Sequence, residues 1–315
     1  MFQATDVPDL SGKNIVITGG NSGIGFEAAR VLTAKRARVV LACRDKEKMK
    51  AAADAVRKET AGALVDEIVL DLSSLASIRA GAQELGRYPQ LDVLINNAGV
   101  MALPERTTAD GFEMQFGTNH LGPYALTGLV LPLVLAAPAG RVVTVSSFLH
   151  KSGHIELADI PKHRSYDTKK AYAMSKLANV LFTYELERRL RAAGSRAKAI
   201  ACHPGYSATN LQGVGPQMTG AKLKGLFMSI ANALVAQPAT MGCLPTLYAS
   251  VGELDGGLYV GPTGMFDMRG YPKVMRSSPE SYDLDVARAL WEVSEKLTGV
   301  AYAFASPPNA VARSA

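Results

Sequence analysis

The chain has 315 residues, of which 48% are hydrophobic and 20% charged, and this composition is typical of a globular protein with one large α/β domain or two small ones. The formal net charge of +6 favours an anionic ligand, but the Lys and Arg residues are spread along the chain, which argues against nucleic acid as a partner. The three cysteines have no paired spacing, so neither a disulfide framework nor a cysteine-based zinc site is expected.

Short apolar runs bounded by turn residues predict strands at 14–18, 37–42, 66–70, 91–95, 141–146, 196–202 and 257–260. Helical periodicity predicts helices between them at 25–35, 46–59, 75–86, 112–135 and 170–192. This alternation predicts an α/β fold in which a single-domain, doubly wound (Rossmann) parallel sheet of about seven strands is flanked by helices. The domain is expected over residues 10–300, followed by a loosely ordered tail at 301–315.

The first predicted strand runs into the glycine-rich turn TGGNSGIG at 18–25. Gly19 would permit the tight turn, Gly23 a close approach of phosphate, and Gly25 close packing of the helix. Free N–H groups at the start of that helix can bind a pyrophosphate, although an ordinary strand-to-helix loop is the alternative. The predicted phosphate-binding residues are Gly19, Asn21, Ser22, Gly23, Ile24 and Gly25.

The next two strand ends carry charged groups. Arg44 stands where an NAD enzyme would place a carboxylate against the ribose 2′-OH, and its guanidinium suits a 2′-phosphate, so NADP(H) is the predicted cofactor. NAD remains possible if Arg44 points away. Asp71, with Leu72, could bind the adenine, or Asp71 or Ser73 could cap the next helix.

The fourth strand ends at NNAG, 96–99. Asn97, Ala98 and Gly99 are small or carry an amide, as is expected where the chain passes close beside a cofactor. A plain turn explains the same residues.

Tyr172 and Lys176 are four residues apart in a strongly helical segment, so their side chains share one face. A free phenol holds its proton until about pH 10, and we expect the ammonium and a positive nicotinamide ring to lower the pKa of Tyr172. Tyr172 could then act as the acid of a reduction or the base of an oxidation. A surface pair is the alternative.

Ser147, at the end of the fifth strand, could donate a hydrogen bond to a substrate carbonyl oxygen, and Ser146 is its rival because successive strand residues face opposite ways. Asn119 lies in a helical segment weakened by two glycines and a proline. This weakening could free a backbone carbonyl for a water and Lys176.

The order and placing of these motifs resemble the short-chain dehydrogenase/reductase family over about residues 10–265. More narrowly, LACRD, NHLGPYALT and SKLANVLFTYELERRL resemble the retinol-dehydrogenase-like branch, which includes the oxidoreductase part of WW-domain oxidoreductases. That branch carries an insertion between the positions of Ser147 and Tyr172, which are 25 apart here.

The resemblance implies a catalytic tetrad of Asn119, Ser147, Tyr172 and Lys176, with Lys176 also holding the nicotinamide ribose. It implies that Pro204, Gly205 and Thr209 flank the nicotinamide. It also implies a substrate lid at about 206–237, whose apolar residues would face a hydrophobic substrate.

The predicted function is an NADP(H)-dependent oxidoreductase that interconverts a lipophilic aldehyde or ketone and its alcohol. The reducing direction is expected because the NADP pool of a cell is mostly in the reduced form, NADPH. The alternative is an NADP-binding regulatory or partner-binding protein without turnover. The sequence predicts neither the substrate nor the choice between monomer and homodimer.

The polar first residues argue against a signal peptide, and the apolar stretch at 225–236 is shorter than the roughly 20 residues of a membrane span. We therefore expect a soluble, cytoplasmic enzyme, with peripheral membrane contact through 225–236 left open. His150 and His154 are four apart, but no third ligand lies at useful spacing, so no metal is predicted. His120 and His203 are interpreted as packing or polar groups beside the site.

Overall fold

A computed structural model of the chain describes residues 1–157, 160, 166–207, 237–264 and 267–304. Within these residues one sheet has eight strands, in the order β3-β2-β1-β4-β5-β6-β7-β8. Pairs along the sheet are parallel, except that β8 runs antiparallel to β7. The strands are β1 Asn14–Thr18, β2 Arg38–Cys43, β3 Leu64–Val69, β4 Val93–Asn96, β5 Arg141–Val145, β6 Lys198–Cys202, β7 Tyr259–Pro262 and β8 Pro272–Met275.

The doubly wound sheet predicted from the sequence is confirmed. β1 pairs with β2 on one side and with β4 on the other, so the strand order reverses between β1 and β4. In open α/β sheets ligands bind beyond the carboxyl ends of the strands at this switch point. The predicted number of about seven strands omitted β8, a four-residue edge strand that begins with proline.

Helices cover both faces of the sheet because the strand residues are buried on both sides. Ile15 and Ile17 belong to the core of one face, whereas Val16, between them, belongs to the core of the other. The helices are α1 Gly23–Ala34, α2 Lys46–Glu59, α3 Leu75–Leu85, α4 Met114–Ala136, α5 Thr168–Ala192, α6 Ala239–Gly242, α7 Leu244–Val251 and α8 Leu284–Thr298. The last three were not assigned from the sequence.

α4 is irregular at the site end. It begins as Met114–Phe116, passes through a π-helical turn at Gly117–Leu121 and continues as Gly122–Ala136. The weakening expected from its glycines and proline is thus present as a π turn, with Asn119 at its centre. By length and composition alone α4 could cross a membrane, but 72% of its most apolar window is buried in the domain, as in the core helix of a globular protein.

The start of the predicted tail is packed. The Tyr302 hydroxyl donates a hydrogen bond to the Tyr124 carbonyl oxygen at 2.6 Å, and the Tyr302 ring centroid lies 4.5 Å from that of Trp291. Phe304 packs against the same core cluster. The packed chain therefore extends beyond the expected boundary at 300 to at least Phe304, and residues 305–315 lie outside the described residues.

This packing predicts that the C-terminal segment stabilises the domain. Tyr302→Ala removes a large aromatic side chain from the cluster, so we expect the free energy of unfolding to fall by about 3 kcal/mol. Tyr302→Phe keeps the ring and removes only the hydrogen bond to Tyr124, so a loss of about 1 kcal/mol is expected. Urea unfolding at equilibrium measures both values. Equal, negligible losses would contradict the packing described.

Candidate active site

A cavity of about 580 Å³ opens at the carboxyl ends of the strands, at the predicted switch point. The glycine-rich turn after β1 forms one wall, and the residues after β4, β5 and β6, together with α5, form the others. Its lining includes the following predicted site residues: Gly19, Asn21, Ser22, Gly23, Ile24, Gly25, Asn97, Ala98, Gly99, Ser147, Tyr172, Lys176, Pro204 and Gly205.

The glycine-rich turn requires glycine at particular positions. Gly19 and Gly23 adopt positive φ values of 65° and 55°, which L side chains rarely occupy. A Cβ on Gly25 would lie 2.5 Å from Asn97 Nδ2, so only glycine lets α1 start against the end of β4. Ser22 precedes α1 without a side-chain capping bond. The N-terminus of α1 therefore faces the cavity without a side-chain cap, as an anion-binding site requires.

Thr18 joins the ends of β1 and β4. Its hydroxyl oxygen accepts hydrogen bonds from the N–H groups of Asn97 and Ala98, both at 3.0 Å. In return Asn97 Nδ2 donates to the Thr18 carbonyl oxygen at 2.9 Å. Sequence reasoning missed Thr18; a buried threonine directly before a glycine-rich turn is the feature that would have found it.

Three predicted cofactor residues lie outside the cavity lining. Arg44 is exposed at the end of β2, and Leu72 is buried. Asp71 Oδ1 accepts hydrogen bonds from the N–H and the hydroxyl of Ser73, at 2.9 and 2.7 Å. The carboxylate thus organises the turn before α3, while Ser74 caps that helix. Contact of these three residues with a cofactor stays a prediction.

Tyr172 and Lys176 lie side by side on α5, with the ammonium nitrogen 5.7 Å from the centre of the phenol ring. Both side chains are buried. Burial raises the pKa of Tyr172 to about 12, against a lowering influence from the hydrogen bond with Ser147. In the protein by itself the pKa of this phenol is thus raised by desolvation of the phenolate, and the lowering expected from the ammonium together with a nicotinamide ring stays a prediction.

The Lys176 ammonium is hydrogen-bonded to a backbone carbonyl group. Its Nζ donates to the Val145 carbonyl oxygen at 3.1 Å, and a Cβ on Gly99 would lie 3.4 Å from that nitrogen. Burial lowers the pKa of Lys176 to about 8. At neutral pH the side chain is therefore still largely an ammonium.

The two serines after β5 have different partners. The Ser146 hydroxyl donates to the Lys176 carbonyl oxygen at 2.7 Å and so ties β5 to α5. Ser147 lines the same cavity as Tyr172, and its hydroxyl acts to lower the pKa of that phenol. Of the two rivals, Ser147 is thus the one placed beside the phenol.

The Asn119 side chain holds the loop that follows β4. Its Oδ1 accepts from the Val100 N–H at 2.7 Å, and its Nδ2 donates to the Val100 carbonyl oxygen and to Ser175 Oγ, both at 2.9 Å. Asn119 Oδ1 would lie only 3.1 Å from a Cβ on Gly99. The four predicted catalytic residues are therefore brought to one region. Within it, the Asn119 side chain is hydrogen-bonded to the Val100 backbone.

The far side of the cavity is apolar. Gly205 adopts a positive φ of 68° beside Pro204. Thr209 lies outside the described residues, as do 208–236 of the predicted lid, including 225–236. Sequence reasoning missed several apolar lining residues because their placement depends on loop paths: Met101, Ala102, Phe148, Leu149 and Met268.

The histidines beside the site are buried and act as polar or packing groups. His120 Nε2 lies 2.9 Å from Ser294 Oγ, and His203 Nδ1 accepts from the Gly205 N–H at 3.3 Å. His150 is fully buried and His154 is exposed. Among the described residues no group of three or more His, Cys, Asp or Glu side chains could hold a metal ion.

Comparison with known proteins gives a consistent result. A model of the short chain dehydrogenase family matches residues 13–218. Retinol dehydrogenase 13 of Homo sapiens is 41% identical over 300 residues, which cover 92% of this chain and 86% of that protein. Retinol dehydrogenase 14 of Homo sapiens is 40% identical over 309 residues, covering 92% of this chain and 88% of that protein.

Solved structures agree with this assignment. An uncharacterized protein from Mycobacterium paratuberculosis is 41% identical, with a TM-score of 0.80, and the match covers 96% of this chain and 99% of that chain. The RhlG/NADP active-site complex of Pseudomonas aeruginosa is 26% identical, with a TM-score of 0.63, covering 82% and 98%.

The buried histidines predict acid lability. Burial lowers the pKa of His120 and of His203 to about 3, so the folded protein keeps both rings neutral while the unfolded chain takes up protons below about pH 6.5. Each should lower the free energy of unfolding by about 1.4 kcal/mol per pH unit between pH 6.5 and 4.5. In urea titrations His120→Gln should flatten this slope, whereas the exposed His154→Gln should not. Identical slopes in all three proteins would contradict the prediction.

Proposed function

From the premise that this chain belongs to the short-chain dehydrogenase family and is retinol-dehydrogenase-like, we propose that it is an NADP(H)-dependent oxidoreductase interconverting a lipophilic aldehyde or ketone and its alcohol. The observation that carries the proposal is the layout of the cavity. A helix N-terminus without a side-chain cap lies at one wall, and the buried Tyr172 lies at another, with Ser147 in the same lining. This layout provides for an anionic cofactor and for proton transfer within one cavity.

The residues present fit a dinucleotide. The N–H groups at the start of α1 would hold the pyrophosphate, and Gly23 and Gly25 leave room for its approach. Arg44, exposed at the end of β2, would pair with a 2′-phosphate. A similar protein of known structure was solved as an NADP complex, which supports this choice over NAD.

The tetrad residues divide the chemistry among them. Ser147 would donate a hydrogen bond to the substrate carbonyl oxygen, and Tyr172 would transfer its proton to that oxygen as negative charge develops. When bound, a reduced nicotinamide supplies the hydride. Lys176 would hold the ribose and stabilise the phenolate that remains, while Asn119 fixes the loop at Val100. A pKa of about 12 keeps the proton on Tyr172 at neutral pH, so the phenol is in the form that a general acid needs.

A lipophilic substrate is supported by the apolar residues lining the cavity after β4 and β5, among them Met101, Phe148 and Leu149. Similar proteins carry the name retinol dehydrogenase, and retinol is a lipophilic alcohol. A protein that binds NADP without turnover would not need four catalytic side chains in one place, so this alternative is not favoured. All three cysteines are free and buried, which supports a reducing compartment such as the cytoplasm.

Replacing the proton donor tests the proposed reaction. With NADPH and a panel of lipophilic aldehydes and ketones, Tyr172→Phe should lower kcat by about 10²–10⁴-fold, the usual contribution of a general acid. NADPH affinity, followed by fluorescence, should change little. Tyr184→Phe is the matched control, because it removes a hydroxyl from the same helix. The Tyr184 hydroxyl bonds to Ser277, and Tyr184 lies outside the cavity lining. Unchanged turnover in the Tyr172 variant would exclude this residue as the donor.

A second variant tests the cofactor choice. Arg44→Ala should weaken NADPH binding about tenfold to a hundredfold, since a hydrogen bond to a charged group contributes about 1.5–3 kcal/mol, and should leave NADH binding unchanged. Lys58→Ala, at the other end of α2, removes the same charge from an exposed position and should leave both affinities unchanged. Fluorescence titrations give the four affinities. Equal losses for NADH and NADPH would sink the 2′-phosphate assignment.

A further inference from the structure

His150 lies three residues after Ser147, in the 3₁₀ turn Phe148–Ser152, and is fully buried. Both of its ring nitrogens have partners. Nδ1 lies 2.7 Å from the Ser147 carbonyl oxygen, and Nε2 lies 3.0 Å from the backbone nitrogen of Ser278. The ring thus connects the end of β5 to a segment 128 residues further along the chain.

These partners fix the tautomer of the ring. A backbone N–H can only donate, so Nε2 must present its lone pair to Ser278. The proton of the neutral ring then sits on Nδ1 and is donated to the Ser147 carbonyl oxygen. Burial lowers the pKa of His150, as does the neighbouring Lys151, against smaller raising influences from the bond to the Ser147 backbone and from Glu280. The neutral form with one defined donor is therefore the form present at neutral pH.

We propose that His150 is a positioning residue, which holds the Ser147 backbone so that the Ser147 hydroxyl stays against Tyr172. This inference rests on the proposed function, because that function makes Ser147 a donor to the substrate. His150 itself does not line the cavity, so it acts only through Ser147.

The groups around His150 form a rigid support on the sheet side. The Tyr259 hydroxyl lies 3.2 Å from His150 Nδ1, and the Tyr259 ring stacks on His203 with centroids 5.4 Å apart and an interplanar angle of 12°. On the same strand end, the Ser146 hydroxyl donates to the Lys176 carbonyl oxygen. The Ser146–Ser147 segment is therefore held at two points, by the bond from Ser146 to Lys176 and by the bond from His150 to Ser147.

The Ser147 carbonyl oxygen accepts two bonds from residue 150, one from its backbone N–H at 3.0 Å and the shorter one, at 2.7 Å, from the ring. Ser147 is extended, with φ −147° and ψ 156°, and its hydroxyl oxygen also accepts from the Leu149 N–H at 3.2 Å. Rotation of the peptide after Ser147 would move this turn and pull the hydroxyl from the phenol. A displacement of about 1 Å at a reacting group can cost about a hundredfold in rate.

Two substitutions separate the two bonds of the ring. His150→Asn places an amide nitrogen where Nδ1 was, so it can still donate to Ser147 but loses Ser278. His150→Gln can place its carbonyl oxygen near the former Nε2, so it can still accept from Ser278 but loses Ser147. With NADPH and an aldehyde substrate, we expect His150→Gln to lower kcat about tenfold to a hundredfold at unchanged KM for NADPH. We expect His150→Asn to stay within about threefold of the unsubstituted enzyme.

A second readout does not depend on turnover. In protein labelled with [¹³Cζ]tyrosine, the Tyr172 resonance, assigned by its loss in Tyr172→Phe, reports the surroundings of the phenol, including the position of the Ser147 hydroxyl. It should shift in His150→Gln and stay in place in His150→Asn. If the unsubstituted protein reduces no carbonyl compound, the proposed function fails, and these spectra still decide whether His150 positions Ser147.

Equal losses of kcat in both variants, together with no shift of the Tyr172 resonance, would overturn the proposal and leave His150 a merely structural residue. Should His150→Gln not fold, His150→Phe replaces it. Phenylalanine fills the space of the ring but cannot donate to the Ser147 carbonyl oxygen, so kcat should again fall about tenfold to a hundredfold. An unchanged kcat would overturn the proposal.

Discussion

The site depends on the burial of a lysine ammonium beside a phenol. Lys176 is only 3% exposed, and burial without partners would drive such a group to neutrality. The Val145 carbonyl oxygen at 3.1 Å gives the ammonium a partner at the end of β5. The Ser146 hydroxyl donates to the Lys176 carbonyl oxygen, so strand and helix are joined at both the backbone and the side chain of one residue. Tyr172, four residues earlier, is thereby fixed over the cavity.

Around this pair, most of the polar side chains are hydrogen-bonded to the backbone of neighbouring loops, and few face the cavity. The Asn119 amide is hydrogen-bonded to the Val100 backbone, and the Thr18 hydroxyl accepts from the N–H groups after β4. Such bonds hold the loops at the carboxyl ends of β1 and β4 at fixed distances from α5. The groups left for a ligand are then the free N–H groups of α1, the Tyr172 phenol and the Ser147 hydroxyl. A preorganised site of this kind needs little rearrangement when charge develops.

The sequence predicted the parts of this arrangement that follow from periodicity and topology. Continuous apolar runs such as NIVIT identify strands buried on both faces, and parallel strands bring their following motifs to one edge. β8 escaped because four residues starting at a proline show no strand pattern. Met101 and Ala102 escaped because a loop path, not a periodic pattern, brings them to the cavity. Helix α8 was overlooked although Asp283 caps it and its buried face is periodic.

The pKa of Tyr172 shows where sequence reasoning lacks a quantity. From the sequence, the visible influences are two positive charges, the ammonium and an expected nicotinamide ring, and both lower the pKa of a phenol. Burial acts the other way and is larger, raising that pKa to about 12 while lowering that of Lys176 to about 8. Both shifts follow from one cause, the cost of charge in a dry cavity. The phenol therefore keeps its proton until negative charge develops on a neighbouring oxygen, and the proton then moves to where it is most strongly held, which couples its transfer to the transition state.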